Sequence, residues 1–200
     1  MPDLLPLFLN LTGRVVVLVG GGRVASAKLR QLVATGARVR VVAPEISASI
    51  AATPNVNVAS RPFVASDLDE AWLVVAAATP AVNRAVAAAA DARRLFVNAV
   101  DDPENASAFM SGVVRRDGVT LAISTSGDAP ALTALVREGV DELLPRDLTA
   151  WVETAKHQRI EWRRDGVSME ARKPRLLRAL NDLYAPERVP WLAGPEDSWL

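Results

Sequence analysis

The feature that most constrains this chain is a short β-branched run that stops at three consecutive glycines. Arg14–Val19 reads RVVVLV and leads directly into Gly20-Gly21-Gly22. Beyond the glycines, Val24, Ala27, Leu29, Leu32 and Val33 fall near helical spacing, and Gly36 marks the stop. A second strand is predicted over Arg38–Val42, ended by Ala43-Pro44, then a short helix up to Pro54 and a weak strand around Val56–Ala59. Trp72–Ala77 is apolar without alternation, as strands covered on both faces are. An alanine-rich helix over Val82–Ala92 and another buried strand over Leu95–Val100 complete the pattern. This βαβ rhythm predicts an α/β fold, a Rossmann-like parallel sheet with right-handed crossovers.

The rhythm changes after Asp101. Met110–Arg116 and Val119–Thr125 are strand-like and flank Asp117-Gly118, a strong hairpin signal. A helix is predicted from about Ala129 to Leu144, ending at Pro145. Further helices follow over Asp147–Arg164 and Glu170–Leu183, the latter with Pro174 inside or interrupting it. The residues from Tyr184 to Leu200 contain three prolines and two tryptophans and read as an irregular tail. The expected division is a cofactor domain over residues 1–109, a hairpin and helix segment over 110–145, and a small helical C-terminal domain over 146–200.

Composition narrows the chemistry. Half of the 200 residues are hydrophobic and 23% are charged, so a packed core is expected. Lys plus Arg and Asp plus Glu both number 23, which leaves no overall field to hold a nucleic-acid backbone. With no cysteine, disulfides, thiolate metal sites and Cys nucleophiles are excluded. The one histidine, His157, rules out a His-rich metal site, and no metal ligand set can be read. Apolar stretches are too short for a membrane span and no signal peptide is evident, so a soluble, cytoplasmic protein is expected.

Four stretches could carry chemistry. Gly20-x-Gly22-x-x-Ala25 lies between a predicted strand and helix, the context that a dinucleotide fingerprint requires. Gly20 would allow the tight turn, Gly22 the approach of a pyrophosphate, and the helix N-terminus would hold the phosphates. Glu45, after Pro44, is the candidate for the ribose hydroxyls, with a first-turn helix carboxylate as the alternative. No Arg cluster follows Val42, which argues against a 2′-phosphate and favours NAD over NADP. Second, Asn98-Ala99-Val100-Asp101-Asp102-Pro103 ends a predicted central strand, where ligands of open α/β sheets bind. Asp101 there is either a proton acceptor or a turn cap. Thr79 would share that edge. Third, Ser124-Thr125-Ser126-Gly127-Asp128-Ala129-Pro130 is either a carboxylate-binding turn or an ordinary helix start. Fourth, residues 156–178 hold eight Lys or Arg against three acids, which suits a polyanionic substrate or a solvated helix face.

Taken together, these stretches resemble the precorrin-2 dehydrogenase/sirohydrochlorin ferrochelatase family, the N-terminal module of siroheme synthases. The resemblance runs from Leu5-Pro6-Leu7-Phe8-Leu9 through Val19–Ala25 to Lys28, then Val42-Ala43-Pro44, Ala78-Thr79 with Asn83, Asn98–Asp102, and Ser124-Thr125 with Gly127 and Pro130. It implies NAD-dependent oxidation of precorrin-2 to sirohydrochlorin, with insertion of ferrous iron as a further activity of some members. It also implies a homodimer with active sites near the inter-subunit cleft. The family's essential aspartate maps onto Asp101 and its active-site serine onto Ser124. Its nucleotide contacts map onto Gly20, Gly22, Arg23, Val24, Pro44 and Glu45. Two positions where the family often has Arg are Ala27 and Ala134 here, which removes two candidate holders of substrate carboxylates. No methyltransferase module is expected within these residues. Two other readings remain: a non-catalytic NAD-sensing module, and an unrelated dehydrogenase. The second is disfavoured because no His or Lys is evident as its acid or base.

Overall fold

The computed structural model describes residues 4–127 and 129–184; the expected tail beyond Tyr184, and Asp128 of the serine turn, lie outside the described residues. Strand β1 (Val15–Val19) is buried along its whole length and supplies side chains to two cores. Val16 and Leu18 pack with Leu29 and Leu32 of helix α1 (Arg23–Val33) and with Ile50 of α2 (Ala48–Ala51). Val15, Val17 and Val19 turn to the other side, where Leu68 meets Val86 and Ala90 of α3 (Pro80–Asp91). Each fully buried Val or Leu stabilises the fold by roughly 1.5–3 kcal/mol, so β1 is its anchor.

Around β1 stand β2 (Arg38–Val42), β3 (Asn57–Ala59), β4 (Leu73–Ala76) and β5 (Phe96–Ala99) in the order β3-β2-β1-β4-β5. Every neighbouring pair is parallel. The Rossmann-like expectation is borne out. Register brings the strands level at their C-terminal ends: Val19 pairs with both Val42 and Ala76, and Ala76 with Ala99. The chain runs outward from β1 to β3, then returns to β4 on the other side of β1. The loops that follow β1 and β4 flank that reversal, the usual position of a ligand crevice in such sheets.

Most elements match their expected bounds within two residues. Helix α3 begins at Pro80, earlier than expected, because proline suits a first turn whose N–H groups have no partner in the helix. Two short 3₁₀ turns carry no periodic signal: Ala65–Leu68 was not anticipated, and Pro103–Asn105 accords with reading Asp101-Asp102-Pro103 as a turn cap.

Contacts divide the chain into two compact units, one up to Gly112 with Ile123–Leu135, the other Val113–Ala122 with the residues from Val136 onward. Strands β6 (Gly112–Arg116) and β7 (Val119–Ile123) form a two-stranded sheet. Asp117 and Gly118 at its tip have φ of 50° and 85°, the signs of a type I′ turn. Helices α4 (Pro130–Leu143), α5 (Leu148–Arg164) and α6 (Met169–Asp182) follow, and α6 continues through Pro174. Within the second unit Arg116 holds Asp141 at 2.7 Å and donates to the Leu144 carbonyl at 2.9 Å. Trp162 and Val167 are buried there.

One ion pair secures the loop between β3 and β4. Asp67 is 4% exposed and accepts from both guanidinium nitrogens of Arg61, at 2.9 and 2.5 Å, and from the Val64 N–H at 2.9 Å. Arg61 above all, then the Val64 N–H, hold the Asp67 carboxyl below the usual carboxylate range against the opposing effect of burial. A depressed folded pKa contributes stability that is complete above the unfolded value and is lost as pH falls through the folded one. Asp67→Ala is therefore expected to cost about 2 kcal/mol at neutral pH. Urea unfolding at several pH values should show that deficit shrinking below about pH 4.

Candidate functional site

The turn after β1 is shaped by two backbone carbonyls. Gly20 has φ of 133°, and a β-carbon there would lie 2.2 Å from the Ala77 carbonyl oxygen in the loop after β4. At Gly21 it would lie 1.8 Å from the Glu45 carbonyl oxygen in the loop after β2. Both positions must be glycine for packing alone. Gly22 is different: nothing lies within 4 Å of where its β-carbon would be. It is the N-cap of α1, whose first turn carries no acid, so free N–H groups and the positive end of the helix face open space. These residues fit a dinucleotide pyrophosphate. Arg23 and Val24, both exposed, occupy the first turn of that helix.

The loop carrying Pro44 and Glu45 is drawn against this turn. Besides the Gly21–Glu45 approach, the Ser47 N–H donates to the Gly21 carbonyl at 2.9 Å. Both Pro44 and Glu45 are exposed. Ser26 of α1, 7% exposed, reaches the same loop through Ser47 and Ser49. The sequence alone singled out neither Gly21 nor Ser26.

Across the crevice, Asn83 of α3 joins the ends of two strands. Its Oδ1 accepts from the Ala78 N–H at 3.1 Å, and its Nδ2 lies 3.5 Å from the Val100 carbonyl. Thr79 and Asp101 are the residues that follow. Thr79 is the exposed N-cap of α3, and its hydroxyl makes no capping bond. Asp101 is exposed and has φ of 56°, a left-handed conformation that costs a non-glycine residue about 1–3 kcal/mol in general and less for aspartate. Beneath it Asn98 donates to the Ala108 carbonyl at 3.0 Å, while its buried Oδ1 has no partner among the described residues.

Lys28, which the resemblance includes without a role, also comes to this edge. It is half-buried on α1, and burial pushes its ammonium below the usual lysine range; the nearby Asp101 carboxylate opposes that shift. Lys28 and Asp101 are far apart in sequence, so no local pattern announces their nearness.

The serine turn also comes to this edge. A β-carbon on Gly127 would lie 3.5 Å from the Phe109 ring and 3.7 Å from Pro103, which places the turn beside the Asp101–Pro103 loop. Ser124 is exposed, and its Oγ accepts from the Ser126 N–H at 3.1 Å. Thr125 accepts from the Ala129 N–H at 3.2 Å, so that hydroxyl serves the helix start. Many basic side chains of α5 and α6 are exposed, and several are engaged locally: Lys156 pairs with Glu153 at 2.7 Å and Arg164 with Asp165 at 2.8 Å. His157 is exposed on the surface of α5, 3.4 Å from Glu161. No helix among the described residues is long and apolar enough to cross a membrane.

The three glycines should part company on substitution. Gly21→Ala is expected to lower the melting temperature, because Glu45 must move away. Gly22→Ala should leave melting unchanged while weakening dinucleotide binding at least tenfold by calorimetry, equivalent to about 1.4 kcal/mol.

Residues 7–112 match the family described as "Putative NAD(P)-binding". A siroheme synthase of Aeromonas hydrophila subsp. hydrophila is 41% identical over 152 residues, 74% of this chain and 32% of that protein. One from Tolumonas auensis is 41% identical over 151 residues, again 74% of this chain and 32% of that protein. The chain thus spans about a third of the length of the curated relatives it matches. Among solved structures, "SirC, precorrin-2 dehydrogenase" is 26% identical, with a TM-score of 0.70 over 90% of this chain and 92% of that one. The chain belongs to this NAD(P)-binding family, and it is similar to siroheme synthases over about a third of their length and to a precorrin-2 dehydrogenase over nearly all of it.

Proposed function

We propose that this chain catalyses NAD-dependent oxidation of precorrin-2 to sirohydrochlorin. The observation that carries the reading is the likeness to a precorrin-2 dehydrogenase over nearly the full length of both chains. The siroheme synthase relatives support the same tetrapyrrole substrate class.

When bound, the nicotinamide supplies the acceptor for the hydride that leaves a ring-bridging carbon of the substrate. The chain's own residues do the rest. Gly22, Arg23 and Val24 would seat the pyrophosphate at the start of α1, on the tight turn that Gly20 allows, and Pro44 and Glu45 would meet the adenosine ribose. Thr79 borders the crevice from the β4 side. Asp101 accepts the proton lost from the macrocycle, and its left-handed backbone turns the carboxylate out at the strand edge. Lys28 offers a cation beside it to a carboxylate-rich substrate. Ser124 contacts the substrate from the neighbouring turn.

Ferrous iron is a second substrate in this proposal, taken up by sirohydrochlorin at the same site with Asp101 assisting proton loss. The working protein is a cytoplasmic homodimer. Residues 1–109 bind the cofactor, 110–145 dimerise, and α5 and α6 form the helical C-terminal domain. Helix α4 supports the dimer: it has no buried residue, and Leu132, Leu135, Val136 and Leu143 at helical spacing are all exposed. A second copy covering that stripe would remove the apolar surface from water. Leu135→Glu should convert a sedimenting dimer to monomer, and an unchanged sedimentation coefficient would remove α4 from the interface.

The deciding assay is anaerobic absorbance of precorrin-2 with the protein, with and without NAD, followed by ferrous iron. NAD-dependent appearance of sirohydrochlorin is expected. NAD binding without turnover would favour a sensing module instead. Asp101→Asn should lower turnover about 100-fold or more while NAD affinity stays within about twofold.

A further inference from the structure

Three serines beside the glycine turn form a closed cluster. Ser26 Oγ lies 3.0 Å from the Gly22 carbonyl oxygen, 3.0 Å from Ser47 Oγ and 2.8 Å from Ser49 Oγ. Ser47 and Ser49 are 3.2 Å apart. Each hydroxyl carries one proton and two lone pairs. The Gly22 carbonyl can only accept, so Ser26 donates there. Ser47 and Ser49 then both donate to Ser26, and its two lone pairs are filled. The cluster consumes all three protons and leaves Ser47 and Ser49 with lone pairs alone to turn toward a ligand.

Ser47 ends the loop that carries Glu45 and Ser49 follows it in α2, and that loop is held against Gly21. We propose that Ser26 is a positioning residue for the ribose end of the nucleotide site and a determinant of NAD over NADP. The proposal rests on the reading that the dinucleotide lies along the glycine turn. Ribose hydroxyls are donors and suit a surface of serine lone pairs and a carboxylate. A 2′-phosphate is an acceptor and an anion, and meets repulsion from the same groups. The exposed Arg23, at the first position of α1, draws the pyrophosphate that both cofactors share and does not separate them. The serines lie 21 and 23 residues from Ser26, so the cluster is a product of the fold.

The test measures NAD and NADP affinity by calorimetry for the unsubstituted protein, Ser26→Ala, the double variant Ser47→Ala/Ser49→Ala and the triple variant. Ser26→Ala releases two hydroxyl protons toward the ligand. It is expected to raise the Kd for NAD about fivefold and to narrow the NAD-to-NADP ratio at least threefold. The triple variant should bind NAD no more weakly than Ser26→Ala, since coupled groups are not additive. The double variant alters residues outside the core, and it should lose NAD affinity by a similar factor even if Ser26→Ala folds poorly. Equal weakening of both cofactors marks mere loosening and overturns the proposal, as does an NAD affinity within twofold of the unsubstituted protein. Failure of the unsubstituted protein to bind either cofactor overturns the nucleotide reading itself, and this inference with it.

Discussion

The carbonyls of Ala77 and Glu45 occupy the space that side chains at Gly20 and Gly21 would need. Through them, the loops after β4 and β2 close on the turn after β1 from both sides. This convergence requires strands that end level, which the register of β1 with β2 and β4 provides. Level ends in turn depend on β1 being buried on both faces, since a one-residue slip would exchange the side chains of its two cores. The glycine turn is therefore a packing device and, in the proposed function, a binding surface as well. Gly20 and Gly21 serve the first role, and Gly22, with open space above it, is suited to the second.

On the other side of the crevice, a buried amide takes the place of close packing. Asn83 bonds to the chain just after β4 and just after β5, so one side chain on α3 sets the positions of Thr79 and Asp101 together. The Val100 N–H donates to the Ala76 carbonyl at 2.8 Å, which carries the ladder up to the residue before Asp101. Backbone strain at Asp101 is thus offset by a well-bonded neighbourhood. Lys28, half-buried on α1, adds charge to this edge at a cost in solvation. Partly buried cations that weaken solvation without a close partner are characteristic of binding surfaces.

Helix α4 leaves its apolar side chains exposed in the single chain. An amphipathic helix is stable in water chiefly through burial of its apolar face, and α4 buries no residue. Its N-terminal turns belong with the nucleotide-binding unit and its C-terminal turns with the helical one. An interface on this helix would stabilise the helix itself as well as the assembly.

The βαβ rhythm, the bounds of Arg38–Val42 and the hairpin turn at Asp117-Gly118 were legible in the sequence, and Gly22 and Asp101 stood out there as candidates. Those features arise from local spacing, turn chemistry and apolar periodicity, which act over a few residues. Gly21 read as filler, because the carbonyl that demands a glycine comes from Glu45 on another strand's loop. Asn83 and Lys28 entered only through the resemblance, with no role, and Ser26 carried no signal. Their significance depends on which loops the sheet order brings together. Local chemistry along the chain determined the elements and the candidate residues. Only the parallel register around β1 decided which of them meet, since contacts between distant segments follow from where buried strands must pair.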